Sequence, residues 1–427
     1  MSFSKNFMFG AATAAHQVEG NNIHSDFWAM EHMKYSSFVE PSNEAVDHYH
    51  RYQEDILLMK NAGLNTYRFS IEWARIEPEE GKFDQAEVGH YREMLQFCND
   101  QQITPIVTLH HFSSPKWLIT KGGWASGYVV EAFAKYCRFV VTELGEYMGY
   151  ICTINEANMG LQLQKITEEY KKLAQNAQKQ ENANKNGNVQ VGVNLDMEKI
   201  MLGMKEQGEI FACDPRKVHT YLSGRTVEQD MIIMRAHQAA VKVIKEINSD
   251  LKVGLTLSLF DYQPAKDGQE TADKLWNEDF GIYLPYFKED DFLGVQNYSR
   301  KIVDANGTLP PAEGTPVTQM GYEDYPKSLG NVIRKVSREF KGDLIVTENG
   351  IATSDDERRC AFIQEALQGV SECIAERIPV KGYCYWSLMD NFEWQAGFGM
   401  TFGLIAVDRN SQMRYPKKSL EYVKNII

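Results

Sequence analysis

The amino-acid sequence predicts an α/β fold, with eight strands and their intervening helices closing into a single (β/α)8 barrel. Three observations carry this. Eight short apolar runs rich in β-branched and aromatic residues recur along the 427 residues, and each reads as a buried strand. Most are separated by segments with helical periodicity, the alternation of a parallel sheet with helices on its faces. The length also lies within the range over which α/β barrels run as one domain, so residues 1–427 are expected to form one unit.

In chain order the strands are expected at 7–12, 66–71, 104–109, 150–154, 252–259, 292–295, 344–347 and 380–387. After the first, 44–62 carries Val46, Tyr49, Gln53, Ile56 and Met59 at near-helical spacing. Asn43 is its candidate N-cap and Gly63 its candidate C′ residue. After the third, 126–144 places Phe133, Cys137, Val140 and Leu144 on one stripe ahead of Gly145. After the fourth comes 165–190, rich in Lys, Gln, Asn and Glu. It reads as an exposed helix plus a loop, within a divergent polar insertion around 160–225. Thr226-Val227-Glu228-Gln229 is a capping box opening a helix striped by Ile233, Ala236, Ala240, Val243 and Ile247.

Composition narrows the function. Apolar content of 43% and charged content of 24% are those of an ordinary globular protein. A net charge of −13 without a dense Lys/Arg run argues against a nucleic-acid partner. The seven cysteines are scattered without CxxC spacing and read as reduced core thiols, so no metal is expected. Residues 1–20 lack a basic stretch followed by an apolar one, and no run is long enough to span a bilayer. The expectation is a cytoplasmic protein with no membrane partner; association into homo-oligomers is left open.

Two carboxylates end apolar strands, in Thr153-Ile154-Asn155-Glu156 and in Ile345-Val346-Thr347-Glu348-Asn349-Gly350. A barrel gathers its strand ends at one rim, where chemistry sits. Two Glu residues there can act as acid and nucleophile on either side of an oxocarbenium-like transition state, or can be rim carboxylates tied up in ion pairs. The remaining rim residues favour the first. Gln17 and Glu19 follow the first strand, Arg68 lies in the second, His110 and His111 end the third, and Asn297 and Tyr298 end the sixth. Trp386 lies in the eighth, and Glu393 and Trp394 follow it. Sugar hydroxyls need such amide, carboxylate and imidazole partners, and sugar C–H faces pack on indole rings.

The motifs make the resemblance specific. They are Phe9-Gly10-Ala11-Ala12-Thr13-Ala14-Ala15-His16-Gln17-Val18-Glu19-Gly20, Tyr67-Arg68-Phe69-Ser70-Ile71, Thr153 to Glu156, Thr347 to Gly350, and Asp390-Asn391-Phe392-Glu393-Trp394. With them the chain resembles glycoside hydrolase family 1, the β-glucosidase family, as far as Tyr415-Pro416-Lys417-Lys418-Ser419, weakening only between about 160 and 226. The resemblance implies a TIM barrel and a retaining, exo-acting β-glycosidase. It would hydrolyse terminal β-D-glucosyl residues of small-molecule β-glycosides through a covalent glycosyl-enzyme, with no cofactor. Position by position, Glu348 matches the family nucleophile and Glu156 the acid/base. Arg68 matches the residue that keeps the nucleophile ionised by lowering its pKa, while burial and the charge of Glu348 raise that of Glu156. Tyr298 matches the tyrosine that hydrogen-bonds the nucleophile. Gln17, His111, Asn155, Glu393 and Trp394 match residues that grip the non-reducing sugar, and Trp386 its stacking platform.

Relatives acting on 6-phosphorylated sugars carry Ser in place of Glu393, with Lys and Tyr where this chain has Met400 and Phe402. A carboxylate there would repel a phosphate, which disfavours a 6-phospho-β-glucosidase, kept as an alternative beside a β-galactosidase or β-fucosidase. Glu156 stands where thioglucosidases have Gln. Ala157 replaces the usual Pro, which is expected to loosen the turn carrying Glu156. His111-Phe112-Ser113 replaces His-Trp-Asp, altering the wall near the sugar. A non-catalytic sugar-binding barrel would usually have lost one of the two Glu residues. A metal hydrolase built on His110 and His111 is disfavoured, because neighbouring strand residues point to opposite faces.

Overall fold

The computed structural model describes residues 3–177 and 197–426. The eight expected strands are all present: β1 (Met8–Ala12), β2 (Thr66–Ser70), β3 (Thr104–Thr108), β4 (Tyr150–Cys152), β5 (Lys252–Ser258), β6 (Phe292–Gln296), β7 (Asp343–Asn349) and β8 (Val380–Trp386). They pair in parallel in the order 1-8-7-6-5-4-3-2, and β1 closes the ring by pairing with both β2 and β8. β7 extends past its expected end, so Glu348 lies inside the strand and pairs with Gln296 of β6.

The helices follow the expected pattern, with two corrections. The first long helix starts at His48, not near Asn43, and its N-cap is Asp47. Asn43, Ala45 and Asp47 have φ of 46°, 45° and 53°. Such left-handed residues cannot join a right-handed helix, so the chain winds through turns before the helix begins. Gly63, at φ 80°, follows the helix as expected. Gly145 does not stop the helix Tyr128–Leu144 in a left-handed conformation; at φ −61° it leads into a 3₁₀ turn, Gly145–Tyr147. The Thr226–Gln229 capping box is present and opens the helix Val227–Ile247.

The polar stretch after β4 opens with the helix Met159–Ala177. The part of the expected exposed segment from 178 to 190 lies outside the described residues. The ends of the insertion are less polar than its composition suggests: Met159, Leu161, Leu163, Phe211 and Tyr221 are buried. Gly160 packs so tightly that a Cβ would sit 2.3 Å from the Arg225 guanidinium, stapling the two ends together.

Inside the barrel, Arg68 is fully buried, paired in register with Ala12 on one side and Ile106 on the other. An unpaired guanidinium there would be very costly, so its partners define the site. Gly350 lets the end of β7 pass under β8, because a Cβ would meet the Trp386 carbonyl oxygen at 1.8 Å. All seven cysteines are free, and five of them are buried. Among the described residues, no helix is long and apolar enough to cross a membrane.

Candidate active site

The two carboxylates meet at the C-terminal rim, and their surroundings differ. Glu348, 3% exposed, is held by three donors. Arg68 Nη1 and Gln296 Nε2 donate to Oε1, the latter at 2.9 Å, and the Tyr298 hydroxyl donates to Oε2 at 2.6 Å. Burial raises the proton affinity of Glu348 above the usual carboxylate range, while Arg68, Tyr298 and Gln296 all pull it back. Arg68 lowers it, as expected, and burial acts against the guanidinium.

Glu156 lacks that set of donors. Burial comes first, then the charges of Glu348 and Glu393, and together they push its carboxyl well above the ordinary value; Arg68 and a hydrogen bond from Ser258 oppose them. Glu348 is therefore the more acidic of the pair. Glu156 sits at φ 44°, a conformation the backbone must be held in. Its N–H donates to Thr256 Oγ1 at 2.8 Å, and its carbonyl accepts from the Tyr221 hydroxyl at 3.1 Å. The next N–H, of Ala157, donates to the Thr256 carbonyl at 3.0 Å. The turn that Ala157 is expected to loosen is thus tied by a bond that proline, having no N–H, could not make.

Asn155 links the carboxylates to the rest of the rim. Its Oδ1 accepts from Arg68 Nη2 at 2.6 Å, Gln296 Nε2 at 2.7 Å and Thr256 Oγ1 at 3.1 Å. Those three donors fix the amide, so Nδ2 donates to His111 Nε2 at 3.1 Å. His111 must then carry its proton on Nδ1, an atom buried without a protein partner. Burial, with Arg68 and His110 nearby, keeps this imidazole neutral.

The other wall is aromatic and amide-lined. His111 lies near-parallel to Trp386 and Trp394, with centroids 5.8 Å and 6.0 Å away. Gln17 Nε2 donates to the Phe392 carbonyl at 2.7 Å, to Asn391 Oδ1 at 3.2 Å and, more weakly, to Glu393 Oε2 at 3.5 Å. Gln17 Oε1 is buried without a partner. Glu393 is pushed up to about 8, by burial first and then by the charge of Glu348. Trp386 and Tyr298 pack in one apolar cluster with Tyr322 and Phe402, and Met400 rests against it.

All the expected site residues meet here, namely Gln17, Arg68, His111, Asn155, Glu156, Tyr298, Glu348, Trp386, Glu393 and Trp394. Three other rim residues do not. Glu19 is tied to Arg75 at 2.8 Å and to Tyr91 at 2.9 Å. His110 packs against Trp124 and Tyr221 and bonds Ser114 at 3.0 Å. Asn297 is spent on the carbonyls of Leu259 and Ser299 and the Ser328 hydroxyl. Sequence reasoning missed Gln296, Thr256, Ser258, Tyr221 and Tyr322. Among the described residues, no cluster of His, Cys, Asp and Glu could hold a metal ion.

A family model described as glycosyl hydrolase family 1 matches residues 1–192 and 296–427. The chain belongs to glycosyl hydrolase family 1. The break at 193–295 overlaps the stretch where the motifs thin out, but it starts later and takes in β5. The crystal structure of beta-glycosidase BGL167 superposes with a TM-score of 0.89 at 40% identity, covering 99% of this chain and 96% of that one. Beta-glucosidase A of Thermotoga maritima is 27% identical over 100% of this chain and 97% of its own. The 6-phospho-beta-galactosidase of Clostridium acetobutylicum is 26% identical over 100% of this chain and 97% of its own. The protein is a glycoside hydrolase, a β-glycosidase of the retaining type.

Proposed function

We propose that the chain forms one cytoplasmic catalytic barrel, a β-glucosidase with Glu348 as nucleophile and Glu156 as acid/base. The observation that carries this is the asymmetry of the two carboxylates. Glu348 has three donors around its carboxylate, whereas Glu156 has no such set and lies buried beside Glu348 and Glu393. Two titratable groups driven apart in this way take opposite roles. Glu348 attacks the anomeric carbon while Glu156 protonates the leaving oxygen; Glu156 then takes a proton from water, which releases the sugar with its configuration retained. Asn155 Nδ2, His111 Nδ1–H, Gln17 Oε1 and Glu393 offer hydrogen-bonding groups to the sugar hydroxyls, and Trp386 and Trp394 offer faces to its C–H edges. The cytoplasmic assignment is supported by seven free cysteines.

A phosphorylated substrate is disfavoured because Met400 and Phe402 add apolar surface to the cluster that holds Trp386 and Tyr298, and Glu393 is a carboxyl that offers a phosphate no counter-charge. The test is the initial rate on aryl β-D-glucoside, β-D-galactoside, β-D-fucoside and β-D-glucoside 6-phosphate, each with a Glu348→Ala control. Preferred turnover of the glucoside, abolished in the control, is expected. Turnover of the 6-phosphate alone would overturn the substrate assignment, and a control that keeps its activity would overturn the site.

A further inference from the structure

Gln296 is the last residue of β6, in register with Glu348 on one side and Ser258 on the other. It is fully buried. Its Nε2 lies 2.9 Å from Glu348 Oε1, 2.7 Å from Asn155 Oδ1 and 3.1 Å from Thr256 Oγ1. Three oxygens around one amide nitrogen fix which way the amide points: turned over, its carbonyl would face a carboxylate and two further oxygens. The orientation leaves Gln296 Oε1 buried with no partner, an unfavourable arrangement that the two N–H groups of Nε2, shared among the three oxygens, must outweigh.

We propose that Gln296 is a positioning residue for the reaction, holding the nucleophile and the Asn155 amide in one geometry and, through Thr256, linking both to the backbone of Glu156. The proposal rests on the roles given above to Glu348 and Glu156. Arg68 reaches the same Oε1 and supplies the charge; Gln296 supplies direction. Thr256 completes the link, because its hydroxyl oxygen accepts the Glu156 N–H and donates to Asn155. One amide thus sets the position of the attacking carboxylate relative to the proton donor, where small displacements are costly in rate.

A purely structural role, closing the gap between β5 and β6, would leave the ionisation of Glu348 alone. The two roles are therefore separable. Glu348 is faced by Arg68 from β2, Tyr298 after β6, Glu156 after β4, Glu393 after β8, and the buried thiols of Cys152 and Cys384. Without the amide donor it keeps Arg68 and Tyr298 but still sits beside two carboxyls, so it binds its proton more tightly.

The experiment compares the wild type with Gln296→Met, similar in shape but without a polar group, in pH profiles of kcat/KM on an aryl β-D-glucoside. The rate of covalent trapping by a 2-deoxy-2-fluoro-glucoside is read in parallel. The acidic limb is expected to move up by about one pH unit, with trapping slowed about 10- to 100-fold, the range of a hydrogen bond to a charged group. An acidic limb that stays in place, with any loss confined to KM, overturns the proposal. If Gln296→Met does not fold, Gln296→Glu serves: its added carboxyl should move the limb further up, and an unmoved limb again overturns the proposal. Glu348→Ala separates the layers. If it retains turnover, the site assignment has failed; if it is inactive and the limb is unmoved in the Gln296 variants, this inference alone has failed.

Discussion

Glu393→Gln should remove a specific pH dependence from folding. The Glu393 carboxyl is 4% exposed. Burial, and then the charge of Glu348, push it from an ordinary 4.5 up to about 8, while the Gln17 amide pulls the other way. Between those values the unfolded chain has released this proton and the folded chain still holds it. The folded state then binds more protons, so stability falls as pH rises from 4.5 through about 8. Below that window the group contributes its full stability, and above it that contribution is gone. Across the window the change is at most ~5 kcal/mol, at about 1.36 kcal/mol per pH unit. Glutamine keeps the shape and an oxygen for Gln17 but has no proton to lose. Urea unfolding of both proteins from about pH 5 to about pH 9 reads the difference directly. The variant should gain on the wild type by up to about 1.4 kcal/mol per pH unit and level off above about 8. Glu156 and Glu348 couple to this group and can broaden the transition, but they cannot reverse its sign. A difference that is flat with pH would refute the reasoning.

Three further outcomes follow from the geometry around the two carboxylates. Ala157→Pro should lower stability by about 1–3 kcal/mol, since it leaves the buried Thr256 carbonyl without its donor; the Tm and the Glu156-dependent rate should fall together. Tyr221→Phe removes the hydroxyl that bonds the carbonyls of Asn155 and Glu156 at 2.9 Å and 3.1 Å. It should cost about 1 kcal/mol of stability, read as a fall in Tm, and should lower kcat more for substrates with poor leaving groups, which depend most on the acid. Gly350→Ala brings a Cβ to 1.8 Å from the Trp386 carbonyl oxygen, so it should reduce soluble yield sharply, as read by expression and thermal unfolding.

The barrel was legible because each strand is a short apolar run bounded by helical pattern, and all eight form where that pattern puts them. The places that deviated are those where local conformation overrides periodicity. Val46 fits the helical stripe of 44–62, yet Ala45 and Asp47 at positive φ hold it in the turns before the helix. Gly145 has the residue type of a helix stop without the left-handed conformation. The polar composition of 160–225 concealed Tyr221, whose ring lies in the core against His110 and Phe112.

The two strand-end carboxylates and most of their rim neighbours were legible because they sit in motifs read along the chain, while His111, Tyr298 and Trp386 were read from the strands and strand ends that carry them. What holds them was not, because it comes from register between strands. Gln296 is an unremarkable strand-end residue until β6 pairs with β7 and sets it against Glu348, and Thr256 matters only because its hydroxyl meets the N–H of Glu156 across β4 and β5. The same limit applies to the acidity of Glu348. Arg68 can be matched to a motif and its charge counted, but the sequence does not show how completely the carboxylate is removed from water. Burial exceeds the pull of the guanidinium, so the roles of the two carboxyls are set by the difference between their donors and not by Arg68 alone.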